Sequence, residues 1–326
     1  MAGERNPTGP GHGPRVHDIG PGGVVVIAVE ADDIRVRGVD GTEARVVAPA
    51  DGAGIETYVD RGRFTVRTIG GARATFLGLR IGGRGFGVRL AGTVELEVPR
   101  DARVEVSSAA GDVALRDVGG DVQVRTVSGD VSIEQAAGRL AVDVATGDVT
   151  VTGTGPISLD VHAVSGGVRA RAPRFDRVAI ETISGDTDVA GRFGTEGAHV
   201  ITTVSGDVEL AVVGGLTVEV KTVSGDVTCD HPDRREGDGR KRLLVIGDGA
   251  ARLAVRSMSG DVDVRAGRDA SEVTETPAAD VPAAGGATDA TTLAVLEALA
   301  RGEIDVVEAE RRLAGAPAAP EAAAHA

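Results

Sequence analysis

The sequence predicts an all-β fold, a β-solenoid of the parallel β-helix type with coils of about 19 residues, and a small C-terminal two-helix module. Three observations predict it. A Gly followed by Asp, once by Gly, recurs through the middle of the chain; apolar residues stand in fixed columns around it; and the composition suits short strands joined by tight turns.

The composition sets bounds first. Of 326 residues 41% are hydrophobic, enough to bury a sizeable core, yet there is no Trp, one Tyr and five Phe. The interior must therefore be built from Val, Ile, Leu and Ala, punctuated by 48 Gly. A formal net charge of -14 argues against nucleic acid and against an anionic membrane surface, because both are held by clustered Lys and Arg. A single cysteine, Cys229, excludes an intramolecular disulfide framework. The sequence has no apolar run of membrane-spanning length, and its N-terminus lacks the apolar stretch of a signal peptide. The expected location is cytoplasmic, with membrane association only through a partner.

Residues 1–17 are Gly, Pro and polar residues without periodicity and are expected to form a disordered tail. Residues 18–99 read as an irregular β capping region, with strand-like runs VVVIAVE, IRVRG, ARVVAP, IETYV, FTVRTI and VELEVP. Within it, residues 70–92 contain neither GxGxxG nor GxxxxGK[ST], so they are no nucleotide loop. Phe76 and Phe86 with Arg84 make that stretch a candidate contact surface.

Residues 100–266 carry the repeat. The marker glycines are Gly111, Gly120, Gly129, Gly147, Gly166, Gly185, Gly206, Gly225 and Gly260, with gaps of 9, 9, 18, 19, 19, 21, 19 and 35. Five residues before each stands an apolar residue, from Val106 to Val255; two residues after stands Val in all copies but Thr187. Because side chains alternate faces with period two, an odd repeat must slip phase once per coil. The Thr-Val step before the Gly (Thr126-Val127, Thr203-Val204, Thr222-Val223) is where the chain is expected to bend. Units that cannot bury their own faces alone suit a solenoid. An antiparallel meander of nine-residue strands produces similar columns and is the alternative.

Residues 267–289 read as a flexible linker, 290–315 as two short helices and 316–326 as a second disordered tail. Leu293, Leu296 and Leu299 form one apolar stripe, and Ile304, Val307 and Leu313 another, separated by Gly302. Two helices of about ten residues each are marginal alone in water, so this module is expected to self-associate or to dock.

The recurring Asp residues, Asp112, Asp121, Asp130, Asp148, Asp186, Asp207, Asp226 and Asp261, are the most conspicuous candidate chemistry. They are read as turn formers bonding their own backbone, since the calcium-roll spacing GGxGxDxUx is absent. The 35-residue gap holds a basic insertion, DRREGDGRKR at 233–242, whose Arg240, Lys241 and Arg242 are candidate contact residues on a loop. Cys229 falls in an apolar column and is expected to face inward. The histidines are scattered, and no nucleophile, base and acid recur together. No catalytic residue, cofactor or metal ligand is assigned, and the chain is not expected to be an enzyme.

The runs VRTVSGDVSI, ITTVSGDVEL, VKTVSGDVTC and VRSMSGDVDV resemble the bacterial putative adhesin domain of unknown function, a β-strand-repeat family, over roughly residues 23–266. The segment LAVLEALARGEIDVVEAERRLAG resembles the short helical domain of the SHOCT type, with Leu296, Gly302, Ile304, Glu308, Ala309 and Leu313 on its pattern. The two resemblances together imply a non-enzymatic scaffold linked to cell-envelope stress or regulation through protein–protein contacts. A partner protein, which a membrane-associated regulator would satisfy, and self-association through the helices are what they imply as contacts. A surface adhesin binding glycans or proteins and a filament-forming solenoid are the alternatives.

Overall fold

A computed structural model describes residues 15–48, 55–60, 62–68, 92–230, 234–237 and 241–267, and none of these is helical. The strands follow one another as β1 (Val16–Asp18), β2 (Val24–Val29), β3 (Asp33–Val39), β4 (Glu43–Ala48), β5 (Ile55–Asp60), β6 (Arg63–Thr68) and β7 (Thr93–Pro99). Then come β8 (Arg103–Ala110), β9 (Val113–Arg116), β10 (Val122–Ser128), β11 (Val131–Thr146), β12 (Val149–Ser165), β13 (Val168–Ser184) and β14 (Thr187–Phe193). The last are β15 (His199–Ser205), β16 (Val208–Val212), β17 (Leu216–Ser224), β18 (Val227–Cys229), β19 (Arg234–Glu236), β20 (Lys241–Ile246), β21 (Ala251–Ser259) and β22 (Val262–Ala266). Val16 and His17 were expected in the disordered tail; they belong instead to β1, which pairs antiparallel with β4.

Pairing between coils is parallel, which decides for the solenoid over the meander. Val122 of β10 stands beside Val104 of β8 on one side and Leu140 of β11 on the other, an offset of one coil each way. Two stacks result. One runs β5-β6-β2-β8-β10, then the second halves of β11, β12 and β13, then β15-β21-β17-β20-β19. The other runs β1-β4-β7-β3-β9, then the first halves of β11, β12 and β13, then β14-β16-β22-β18.

This order departs from the chain order at both ends. The first coil, β2 with β3, lies between β6/β7 and β8/β9. The last coil, β21 with β22, lies between β15/β16 and β17/β18. Outside them sit antiparallel strands: β5 on β6 and β4 on β7 at one end, β20 with β19 on β17 at the other. The basic insertion is therefore partly a hairpin rather than a loop, and that hairpin reverses the chain so that the last coil can enter from behind.

Each coil turns at its Gly. Gly129, Gly147, Gly166, Gly185, Gly206, Gly225 and Gly260 have φ between 122° and 141°, a region side-chain-bearing residues rarely enter. The Asp that follows has a different job from the one expected. Its carboxylate reaches across to the neighbouring coil and accepts a backbone N–H there: Asp130 N–H donates to Asp112 at 2.9 Å, Asp148 N–H to Asp130 at 2.9 Å and Gly167 N–H to Asp148 at 2.7 Å. Asp207 N–H donates to Asp186, Asp261 N–H to Asp207 and Asp226 N–H to Asp261, at 2.7–2.9 Å. The row starts at Asp33, which accepts from Asp112 N–H at 3.1 Å. Asp121 is not part of it: Gly120 and Asp121 sit at the opposite bend, where the Asp121 carbonyl accepts from Val104 N–H at 2.9 Å.

Between the two stacks lies one apolar core. Leu140, Leu159, Val178 and Leu253 form one inward column, and Val124, Val142, Val161, Ile180, Ile201 and Val255 the next, all buried. Each fully buried Val, Leu or Ile contributes about 1.5–3 kcal/mol from apolar burial. The Thr-Val step is irregular in a graded way. Thr126, Thr182, Thr203 and Thr222 stay inside, while the residue after them ranges from buried at Val127 to 60% exposed at Val223.

Candidate interaction surface

The end of the solenoid formed by β21, β17 and β20 gathers basic and apolar side chains. Lys221 on β17 stands in register with Arg256 on β21 and with Lys241 on β20. Two residues further along, Val223 and Met258 occupy adjacent rungs and are 60% and 57% exposed. β20 pairs with β17 over Leu216 to Lys221 and stops short of Val223, leaving that end of the edge uncovered. Glu219 is held by Lys221 at 3.1 Å and Lys241 at 3.3 Å, and the hydrogen bond from Lys221, then that from Lys241, lowers its carboxyl pKa. Arg252 and Arg256 are exposed and have no ion-pair partner among the described residues.

Of the sequence-based candidates, two are described here. Lys241 lies on this surface. Arg242 points the other way in function: its Nη1 donates to the Val227 carbonyl at 2.9 Å, satisfying the edge of β18. Phe76, Arg84, Phe86, Arg240, Leu293, Leu296, Leu299, Ile304, Val307 and Leu313 lie outside the described residues. Val223, Met258 and Arg256 escaped the sequence reading because each belongs to a repeat column, and the pattern does not say which members of a column stay open to solvent.

Two other clusters of charged side chains stand on the outer faces. On the outer face of the first stack, His162 Nδ1 lies 3.1 Å from Asp143, and Nε2 lies 3.5 Å from Asp160 and 3.9 Å from Glu181. The hydrogen bond to Asp143 raises the imidazole pKa against the opposing effect of burial. Asp143, which burial pushes up, ends below its ordinary value through His162 and Arg125. On the outer face of the second stack, a cleft of about 440 Å³ is floored by Ala114 and Ser132 between Arg35, Arg37, Arg116, Glu95 and Glu134. Its charges pair across coils, Arg35 with Glu95 and Arg116 with Glu134, as on a solvated strand face. Among the described residues no group of three or more His, Cys, Asp or Glu is arranged to hold a metal ion.

A parallel solenoid with glycine turns, carboxylate-to-amide rungs and antiparallel caps at both ends is the class this geometry defines. The family model described as Toastrack DUF4097 matches residues 24–265, from the first residue of β2 to within β22, and the chain belongs to that family. No curated protein matches it. Among solved structures, a putative cell adhesion protein from Clostridium sporogenes is similar at 8% identity, over 77% of this chain and 97% of that one, with a TM-score of 0.20. A putative adhesin from Bacteroides fragilis is similar at 11% identity, over 77% and 95%, with a TM-score of 0.31.

Proposed function

We propose that this protein is a non-enzymatic interaction scaffold whose β17–β21–β20 end docks an acidic protein segment carrying an apolar side chain. The observation that carries the reading is the juxtaposition of exposed Val223 and Met258 with Lys221 and Arg256. In a chain of net charge -14, a basic surface tipped with exposed apolar residues is complementary to a partner of opposite sign. While β21 is paired on both edges, Arg256 and Met258 are held in register with Lys221 and Val223. The wider setting, cell-envelope regulation with the C-terminal segment as a second contact or a self-association element, rests on the resemblance of residues 290–315 to the short helical domain. Location in the cytoplasm belongs to the same proposal.

The test is affinity purification from the native host with three chains. Wild type and a charge-reversed variant on the opposite face, Arg116→Glu, should retain the same partner, identified by mass spectrometry. Val223→Asp with Met258→Asp should lose it by at least tenfold. Equal recovery of that partner by the double variant would sink the proposal. Deleting 290–315 separates the two contacts: a loss confined to that deletion assigns the partner to the C-terminal segment instead.

A further inference from the structure

The last coil occupies a slot that the rest of the chain can close without it. Gly225 follows Gly206 by 19 residues, the same spacing as Gly147 to Gly166 and Gly166 to Gly185, which are direct neighbours in space. Yet β17/β18 does not stack on β15/β16. Leu210 of β16 pairs with Val264 of β22, and Val264 pairs in turn with Cys229 of β18. Remove β21/β22, and the same register brings Leu210 to Cys229, Ile201 to Val220, Thr203 to Thr222 and Val208 to Val227, apolar on apolar and Thr on Thr.

The hydrogen bonds close as well. With the coil in place, Asp207 accepts from Asp261 N–H and Asp261 accepts from Asp226 N–H. Without it, Asp226 N–H meets the Asp207 carboxylate directly. Likewise Gly206 N–H, which now donates to the Ser259 carbonyl, meets that of Ser224, which now accepts from Gly260 N–H. The link from β16 to β17, residues 213–215, crosses from one stack to the other while shifting two coils along the axis, about 9.6 Å. Its four Cα steps reach about 14 Å, so it serves one coil as readily as two.

We propose that the last coil, residues 251–266, is a removable insert, and that its departure lets β17/β18 close onto β15/β16 in native register. The molecule then has two states of the same end. The hinge is the turn 247–250, where Gly247 and Gly249 take φ of 58° and 63°. The switch acts on the surface described above: Met258 and Arg256 leave with β21, and Val223 comes to lie beside Val204. That consequence for binding rests on the proposed docking surface; the switch itself does not.

Cys229 is the sole cysteine and serves as a native reporter. In the full chain, Val264→Cys places a second thiol on its register partner, and the disulfide should form promptly when the coil is in. Leu210→Cys lies two coils away, about 9.6 Å, beyond the roughly 7 Å limit for a bridge. Its disulfide forms when the coil is out. Val151→Cys, in the same column but several coils off, reports global unfolding.

Under mild oxidation, Leu210→Cys should accumulate an intramolecular bridge at least a hundredfold faster than Val151→Cys, beyond the roughly eightfold that its shorter loop to Cys229 gives on global unfolding. Adding Val255→Asp, which disrupts β21, should speed it further. A Leu210→Cys rate within about tenfold of that of Val151→Cys overturns the proposal, whether or not the Val255→Asp chain folds. Because no partner enters the assay, its outcome is separate from that of the purification experiment.

Discussion

Gly129 and Gly167 stand next to equivalent turns and make opposite demands. A Cβ on Gly129 would lie 2.3 Å from the Gly111 carbonyl oxygen, at φ 122°, so neither the backbone nor its neighbour can relieve the contact. Gly129→Ala is expected to cost on the order of 3 kcal/mol. A Cβ on Gly167 meets nothing closer than 3.6 Å, and the residue lies outside the left-handed region. Gly167→Ala should therefore fall within about 1 kcal/mol of wild type, on the stabilising side, by restricting the unfolded chain. Urea unfolding of both variants checks the pair; similar losses at the two sites would refute the account of the turn. The glycine column was legible because its spacing is regular. The partner of each Asp was not, because one acceptor serving the next coil and one serving its own turn leave the same pattern in sequence.

At the scale of the element, two histidines set opposite limits on pH. His199 stands in a column otherwise filled by Leu and Val, and it closes the bend after β14: its Nε2–H donates to the Gly194 carbonyl at 2.8 Å. The ring packs edge-on against Phe193 at 5.2 Å, and its Nδ1 is buried without a partner. Burial lowers its pKa from the ordinary 6.5, so the unfolded chain takes up a proton before the folded one does. Stability from this site is complete above 6.5 and is lost as pH falls through 6.5 toward the folded value. His162 does the reverse. Its raised pKa gives stability that is full below 6.5 and lost as pH rises through the folded value. The melting temperature should peak near neutrality on the acid side, and His199→Gln, which retains a donor for Gly194, should flatten the acid limb while leaving the alkaline one. An unchanged acid limb in that variant would remove His199 from the explanation. The sequence marks His199 as the one polar residue at its place in the repeat, but not its hydrogen bond, and it gives no sign of His162's role, which depends on the coils on either side.

For the whole solenoid, the columns and turns were readable but the stacking order was not. Gly206 and Gly225 are spaced like true neighbours, so sequence alone sets them side by side. Only the β19–β20 hairpin, hidden in what reads as a charged loop, betrays the detour. The same hairpin bears on assembly. β20 covers β17 at one end, β5 and β4 cover β6 and β7 at the other, and the short β18 has Arg242 on the Val227 carbonyl. Covered and shortened edges disfavour end-to-end growth. Electron microscopy of the purified protein should show discrete particles; fibres built by stacking would contradict this reading of the caps.

Because the caps sit apart from a middle of near-identical coils, the molecule is also a gauge. From β10 to β13 the chain runs in rungs of 18 and 19 residues whose turn and core columns repeat, with a carboxylate after each turn glycine except at Gly167. Duplicating one such rung in the gene would lengthen the molecule by about 4.8 Å and leave both finished ends as they are. Distance between whatever contacts the two ends is thus adjustable in fixed increments, one short duplication at a time.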